Sequence, residues 1–382
     1  MNATRAAISV AAAGLLASSP SAAPSAAVPS VLLGGDMPVP RIINGLWQTS
    51  SPAWGAPPPA AARVEALADL ARRGFTAFDG ADHYGAAEDL MGALLDRLRA
   101  AGGAGAAGPF MTKWCPQPGP VSRAAADAAV DKSLARMRTR TLDSLQLHWW
   151  DYAQRDNLLG CIRHLDAIRR EGRINKLALT NFDTAHVRLF VEGEGIPIAS
   201  NQVQFSVVDS RPLRAMAPYC DAHGVKLLTY GTLMGGLLSD AWLGRPAPSR
   251  AELATPSLGK YFGVLQQWGS WALFQEMLRA LRGIADRHSA GAAGGDGGAG
   301  GEPPAAARFT VANVAVAWVL AQPAVGSVIV GVRAGLSEHA DENARALGLA
   351  LTECDLADVA AVQAKGADLL SVIGDCGDEY RR

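Results

Sequence analysis

The chain has 382 residues, 49% of them hydrophobic, and a formal net charge of −1. That length accommodates one large domain or two ordinary ones, and the composition describes a globular protein with a sizeable core. Near-neutral charge gives no support for nucleic-acid binding, which draws on a basic surface; five scattered cysteines with no C-x-x-C pair argue against a disulfide framework or a zinc site.

The first segment, Met1 to Ser30, is rich in Ala, Ser and Pro and carries no acid. Its apolar run Ala6–Ala17 is too short to span a bilayer. It reads as a leader to be set aside from the fold. A plastid transit peptide is the first expectation, with a secretory signal or an unaddressed, cytoplasmic leader as alternatives. From residue 31 onward, short β-branched or apolar runs alternate with longer helical patterns. The strand candidates are Ile42–Trp47, Thr76–Gly80, Phe110–Trp114, Ser144–Trp149, Lys176–Asn181, Ile198–Phe205, Val225–Tyr230 and Ser327–Val332. Helical patterns between them include Ala60–Arg73, Ala87–Arg99, Arg123–Met137, Leu158–Glu171 and Pro212–His223. A further pattern around Trp268–His288 follows the seventh strand and is a candidate lid. The segment Gly291–Ala307 has no apolar periodicity and reads as a flexible surface insertion.

Eight strands, each followed by a crossover, predict an α/β fold of the (β/α)8 TIM barrel type, as a single domain over residues 31–382. An open doubly wound sheet would want a glycine-rich phosphate loop, and G-x-G-x-x-G is absent. Strand after strand ends on a polar group: Asp79, Lys113, His148, Asn181 and Tyr230, while the sixth carries Gln202 and Arg333 follows the eighth. In a barrel these ends face one mouth, where active sites are assembled. Asp79, Tyr84, Lys113 and His148 form a coherent proton-transfer unit. A free tyrosine is a poor acid at neutral pH. A neighbouring ammonium would lower its pKa, and a carboxylate would hold that ammonium in place. Trp47, Trp114 and Trp149 lie near strand ends and are candidate walls of an apolar substrate pocket. Cys115, two residues past Lys113, is read as a passive thiol rather than a redox sensor.

The segment Phe78-Asp79-Gly80-Ala81-Asp82-His83-Tyr84-Gly85 resembles the aldo-keto reductase signature. So do Met111-Thr112-Lys113, Leu145-Gln146-Leu147-His148-Trp149, Thr180-Asn181-Phe182 and Asn201-Gln202-Val203-Gln204, in the same order and at matching spacings. The ending Ile373–Tyr380 is similar to that of a plastid and microbial subgroup. The resemblance implies reduction of an aldehyde or ketone to an alcohol, with NADPH rather than NADH as cofactor and no metal. Tyr84 would be the proton donor, Lys113 and Asp79 its tuning pair, and His148 the orienting group. Thr180, Asn181 and Gln202 would bond the nicotinamide carboxamide, and Tyr230 would stack on its ring. Gly45 would let the cofactor approach the first strand. Arg333, Glu342 and Asn343 would hold the adenosine end. The sequence departs from the family pattern at Gly80, where threonine is usual, and at Thr180, where serine is common. It also departs at Ala334 and His339, where many members have serine and arginine; that leaves Arg333 as the main grip on a 2′-phosphate. The implied partner is a small-molecule carbonyl compound, with no nucleic acid, no membrane span and no required oligomer. The resemblance also admits a nucleotide-binding regulatory or redox-sensing subunit on the same barrel.

Overall fold

A computed structural model of the chain describes residues 28–102, 108–293, 308–337 and 339–381. Most of the expected leader and of the Gly291–Ala307 segment lies outside the described residues, although the preceding helix Trp271–Ala293 runs into the latter. Eight parallel strands close into a barrel. They are β1 Ile42–Gly45, β2 Phe78–Asp79, β3 Phe110–Trp114, β4 Leu142–His148, β5 Ile174–Thr180, β6 Ile198–Gln204, β7 Lys226–Tyr230 and β8 Val325–Gly331. The order is sequential, and β8 pairs with β1 to close the ring. The third strand and the helix Arg123–Met137 fall where the sequence predicts them. The second strand is shorter than predicted. There the Asn44 amide donates to the Phe75 and Ala77 carbonyls at 2.9 Å each.

Residues alternate across each strand, as a pleated backbone requires. Phe78 and Phe110 face outward and stack at 5.3 Å, while their neighbours Asp79 and Met111 face the barrel axis. The inward set at the lower end is apolar: Ile43, Ala77, Met111, Ala199 and Leu228. An antiparallel hairpin, Ser30–Leu33 with Met37–Pro40, plugs this end through Leu33, Met37 and Val39. Sequence reading missed the hairpin because its first residue falls in the stretch assigned to the leader. The outer layer is the larger core, where helices such as Ala60–Arg72 and Arg155–Arg170 bury Leu67, Leu70, Ile162 and Leu165 against the strands. The floor and wall are thus apolar, and polar inward residues accumulate toward the C-terminal mouth. Among the described residues no helix is long and apolar enough to cross a membrane.

The candidate lid around Trp268–His288 falls on the second of two helices, Pro256–Trp268 and Trp271–Ala293. The first packs on the loop that follows β7. A Cβ added at Gly231 would meet the Tyr261 hydroxyl at 2.6 Å. After the last helices the chain returns to the mouth as a strap, residues 374–381, whose path is fixed by Arg211. That side chain is buried and bonds the Gly374 and Asp375 carbonyls at 3.2 and 3.1 Å. It also pairs with Asp209 at 2.8 Å and with Glu379 at 3.0 Å.

Candidate active site

The barrel brings Asp79, Tyr84, Lys113 and His148 to one place. Lys113 stands on β3, next to Asp79 on β2, and its ammonium meets Asp79 Oδ2 at 2.5 Å. It donates a second bond to the Gly80 carbonyl at 2.8 Å. The ammonium lies 4.9 Å from the centre of the Tyr84 ring. The other Asp79 oxygen accepts from Gln146 at 2.8 Å and from Gln202 at 3.0 Å. Gln202 also donates to Gln146 Oε1 at 2.8 Å, and Thr180 donates to the same oxygen at 3.3 Å. Gln146 is therefore the hub between the tetrad and two of the predicted cofactor contacts. It is a residue that sequence reading quoted but did not assign. Its signal was available, since it stands two before His148 and must share that face.

Gly80 stands where threonine is usual, beside the flexible end of the Met91 side chain. A Cβ there would meet Met91 Cε at 2.6 Å, so the methionine occupies the space a larger residue would need.

The electrostatics differ from the sequence expectation in one respect. Burial raises the Tyr84 pKa well above its ordinary value, and the Asp79 charge adds to that effect. The Lys113 ammonium is committed to Asp79 and Gly80 and lies under the ring, so it does not reverse the shift. Tyr84 therefore holds its proton firmly at neutral pH. Burial likewise lowers the Lys113 pKa, while Asp79 opposes the fall. His148 is pushed down to about 3, first by burial and then by the charges of His83, Lys113, Arg381 and Lys260. Its imidazole is neutral at physiological pH, and Nε2 accepts from the Asn181 amide at 3.3 Å.

That depression has a stability consequence. An unfolded histidine titrates near pH ~6.5. Between there and about 3, the unfolded chain binds a proton that the folded one refuses. Stability is thus unpenalised above the upper limit and falls as the pH drops through the window. His148→Gln is expected to lose less stability than the parent between neutral and acidic pH. Urea midpoints at a series of pH values check this, and parallel curves would place the acid sensitivity elsewhere.

Asn181 adopts a left-handed backbone, φ 59°, which asparagine tolerates better than most residues. Its Oδ1 accepts from the Tyr230 hydroxyl at 2.8 Å. The strap seals this corner. Arg381 donates to the Asn181 carbonyl and stacks over Tyr152 at 3.8 Å. Gly377 rests so closely on Asn181 that a Cβ would come within 1.9 Å of its carbonyl oxygen. Tyr380 reaches the Tyr230 hydroxyl at 3.1 Å. None of these strap contacts was legible locally, because each joins residues about 150 or more positions apart.

Of the predicted tryptophans, Trp47 stands at the mouth. It is 37% exposed and lies 6.2 Å from the Tyr84 ring. The other two are corrected. Trp149 is buried in the outer core, and its indole N–H donates to the Asp151 carbonyl at 2.5 Å. Trp114 lies on the opposite face of β3 from Lys113 and packs on the same outer core. Both follow from alternation, as each directly succeeds an inward residue. Trp150 takes the position expected of Trp149, 4.3 Å from the His148 ring. Its indole donates to Cys115, whose thiol is pushed up to about 11, mainly by burial, consistent with a passive role.

Gly45 pairs with Asp79 in register. A Cβ there would meet Ile329 Cγ2 at 3.0 Å, so the glycine relieves crowding from β8. Arg333, Glu342 and Asn343 lie past β8. Arg333 Nη2 bonds the Trp54 carbonyl at 2.6 Å; its other N–H groups have no partner among the described residues. The Glu342 carboxylate is taken up by Thr310 at 3.3 Å and His339 at 3.1 Å. Asn343 is buried within the short helix Ala340–Arg345. Among the described residues no group of three acidic, His or Cys side chains is arranged to hold a metal.

The aldo/keto reductase family model matches residues 41–293. Flagellar radial spoke protein 5 of Chlamydomonas reinhardtii is 27% identical over 207 residues, covering 47% of this chain and 39% of that protein. Glyoxal reductase of Bacillus subtilis (strain 168) is 30% identical over 114 residues, covering 30% of this chain and 39% of that protein. The chain thus spans about two-fifths of the length of these curated relatives. Among solved structures, the aldo-keto reductase from Klebsiella pneumoniae in complex with NADPH superposes with a TM-score of 0.61 at 22% identity, covering 88% of this chain and 96% of that one. At that identity the likeness establishes a shared barrel fold.

Proposed function

The chain belongs to the aldo/keto reductase family, and from that premise we propose that it reduces an aldehyde or ketone to an alcohol with NADPH. The convergence of Tyr84, Lys113, Asp79 and His148 at the barrel mouth carries this reading. When bound, the nicotinamide cofactor supplies the hydride. Tyr84 donates the proton to the carbonyl oxygen. Its raised pKa keeps that proton in place until the oxygen gains charge. Lys113, held by Asp79, supplies positive potential beneath the phenol. Neutral His148 orients the carbonyl without competing as a proton donor.

The residues present suit the cofactor's chemistry. A carboxamide needs both donors and acceptors, and Gln202 Oε1 has no partner among the described residues. With Thr180 and Asn181 it forms a polar ledge beside the Tyr230 ring, the proposed platform for the nicotinamide. Arg333 has N–H groups to spare for a 2′-phosphate, with Glu342 and Asn343 beside it at the adenosine end. Arg333→Ala is expected to weaken NADPH about 10- to 100-fold while changing NADH little, since a charge-assisted contact is worth roughly 1.5–3 kcal/mol. Fluorescence titration with both cofactors checks this, and equal weakening would remove the arginine from the phosphate site.

One observation favours a second reading. The strap's bonds to Asn181 and Tyr230 close the nicotinamide corner, as suits a regulatory or redox-sensing subunit that exchanges its nucleotide slowly. Steady-state NADPH consumption against a panel of aldehydes, ketones and quinones separates the two. Turnover of any panel member supports the reductase, and nucleotide binding without consumption supports the sensor.

A further inference from the structure

The helix Pro256–Trp268 carries a cation to the mouth that the reading above does not use. Lys260 Nζ lies over the rings of Tyr380, Tyr230 and Tyr261 at 4.5, 5.0 and 5.1 Å. It donates a hydrogen bond to the Tyr380 hydroxyl. Among the described residues no carboxylate stands within ion-pair distance of it. Two neighbouring cations of the mouth are matched by carboxylates: Lys113 by Asp79, and Arg211 by Asp209 and Glu379. Aromatic faces attract an ammonium but offer it no lone pair. The Lys260 ammonium has three N–H donors, and among the described residues its one hydrogen bond goes to Tyr380. Tyr380 accepts that bond and turns its own hydroxyl proton to the Tyr230 oxygen, whose proton is held by Asn181 Oδ1.

The position of this pair is fixed from both sides. Arg211 anchors the strap that presents Tyr380, and the packing of Tyr261 on the loop after β7 anchors the helix that presents Lys260. The Tyr380 ring also lies 5.9 Å from the His148 ring and 5.7 Å from Trp150. One aromatic ring therefore stands between the unmatched ammonium and the histidine that orients the carbonyl.

We propose that Lys260, with Tyr380 beside it, binds an anionic group of the substrate, which makes the substrate class an oxo acid: an aldehyde or ketone with a carboxylate a short chain away from the carbonyl. The two Lys260 N–H groups without a partner among the described residues match the two oxygens of a carboxylate. The substrate class rests on the reductase reading, whereas the anion site does not. Because this contact is made in the ground state as well as the transition state, it acts on KM rather than kcat.

The test compares 4-oxobutanoate with butanal on the full chain with NADPH. The ratio of their kcat/KM values is expected to favour the acid in the parent. Lys260→Met should lower that ratio about 10- to 100-fold through KM, the range of a charge-assisted hydrogen bond. Lys260→Arg, which keeps the charge, should retain most of the ratio. A second arm needs no turnover: the affinity of 4-hydroxybutanoate for the NADP-loaded protein, by calorimetry, should fall by a similar factor in Lys260→Met. An unchanged ratio, an unchanged affinity, or no binding by the parent overturns the anion site. Equal loss of NADPH affinity and acid affinity in Lys260→Met also overturns it, by making the lysine a cofactor contact. If neither aldehyde is consumed yet the calorimetric loss is seen, the reductase reading fails and the anion site stands.

Discussion

Tyr84→Phe is expected to lower the rate of reduction at least about 10²–10⁴-fold, the usual contribution of general acid catalysis, while NADPH affinity changes little. The substitution keeps the ring and removes only the hydroxyl. Packing against Trp47 and His83 therefore survives, and so does the ammonium beneath the ring. The proposed cofactor contacts lie at Asn181, Gln202, Tyr230 and Arg333, none of which bonds Tyr84. What is lost is the proton that burial holds on the phenol. Rates with a saturating reactive aldehyde, beside cofactor titrations by fluorescence, read the two quantities separately. Parent-like turnover would remove Tyr84 from the proton-donor role.

The second large effect is on stability. Arg211 is buried with its partner Asp209, and a second partner, Glu379, is nearly so. Arg211→Met leaves two carboxylates in a low-dielectric setting without their cation. Breaking a buried pair from one side costs about 3–5 kcal/mol. It also releases the Gly374 and Asp375 carbonyls, so the strap should loosen before the barrel does. Denaturant midpoints measure the total, and hydrogen exchange over residues 374–381 measures the local part. A loss under ~1 kcal/mol with an unaltered strap would show that the clamp is dispensable.

The barrel was legible because its signals are local. Each strand is a short apolar or β-branched run, and a run such as Phe110–Trp114 has few other ways to be buried. The tetrad was legible for the same reason, since Asp79, Lys113 and His148 each stand at or one residue from the end of a strand and the closed topology brings those ends together. Errors arose where one residue of phase decides the outcome. Trp114 and Trp149 stand one position past inward residues and so face the outer core, while Trp150, outside the strand, turns back to His148. Gln146 carried the correct phase and was overlooked. The expected effect of Lys113 on Tyr84 failed for a different reason. Charge type can be read from sequence, but burial depth and the prior claim of Asp79 on the ammonium cannot. The strap and Lys260 left no local mark, because their chemistry exists only once the chain's end returns to the mouth.

On this reading the residues at the mouth carry out a reduction rather than merely hold a nucleotide. The most direct measurement is a single turnover: protein loaded with one equivalent of NADPH, mixed with excess reactive aldehyde, and followed by absorbance as the reduced nicotinamide disappears. The expected result is stoichiometric loss of the signal with one equivalent of alcohol formed, and a rate at least about 10²-fold lower in Tyr84→Phe. NADPH that stays reduced on the parent protein, across aldehydes, ketones and oxo acids, would contradict it.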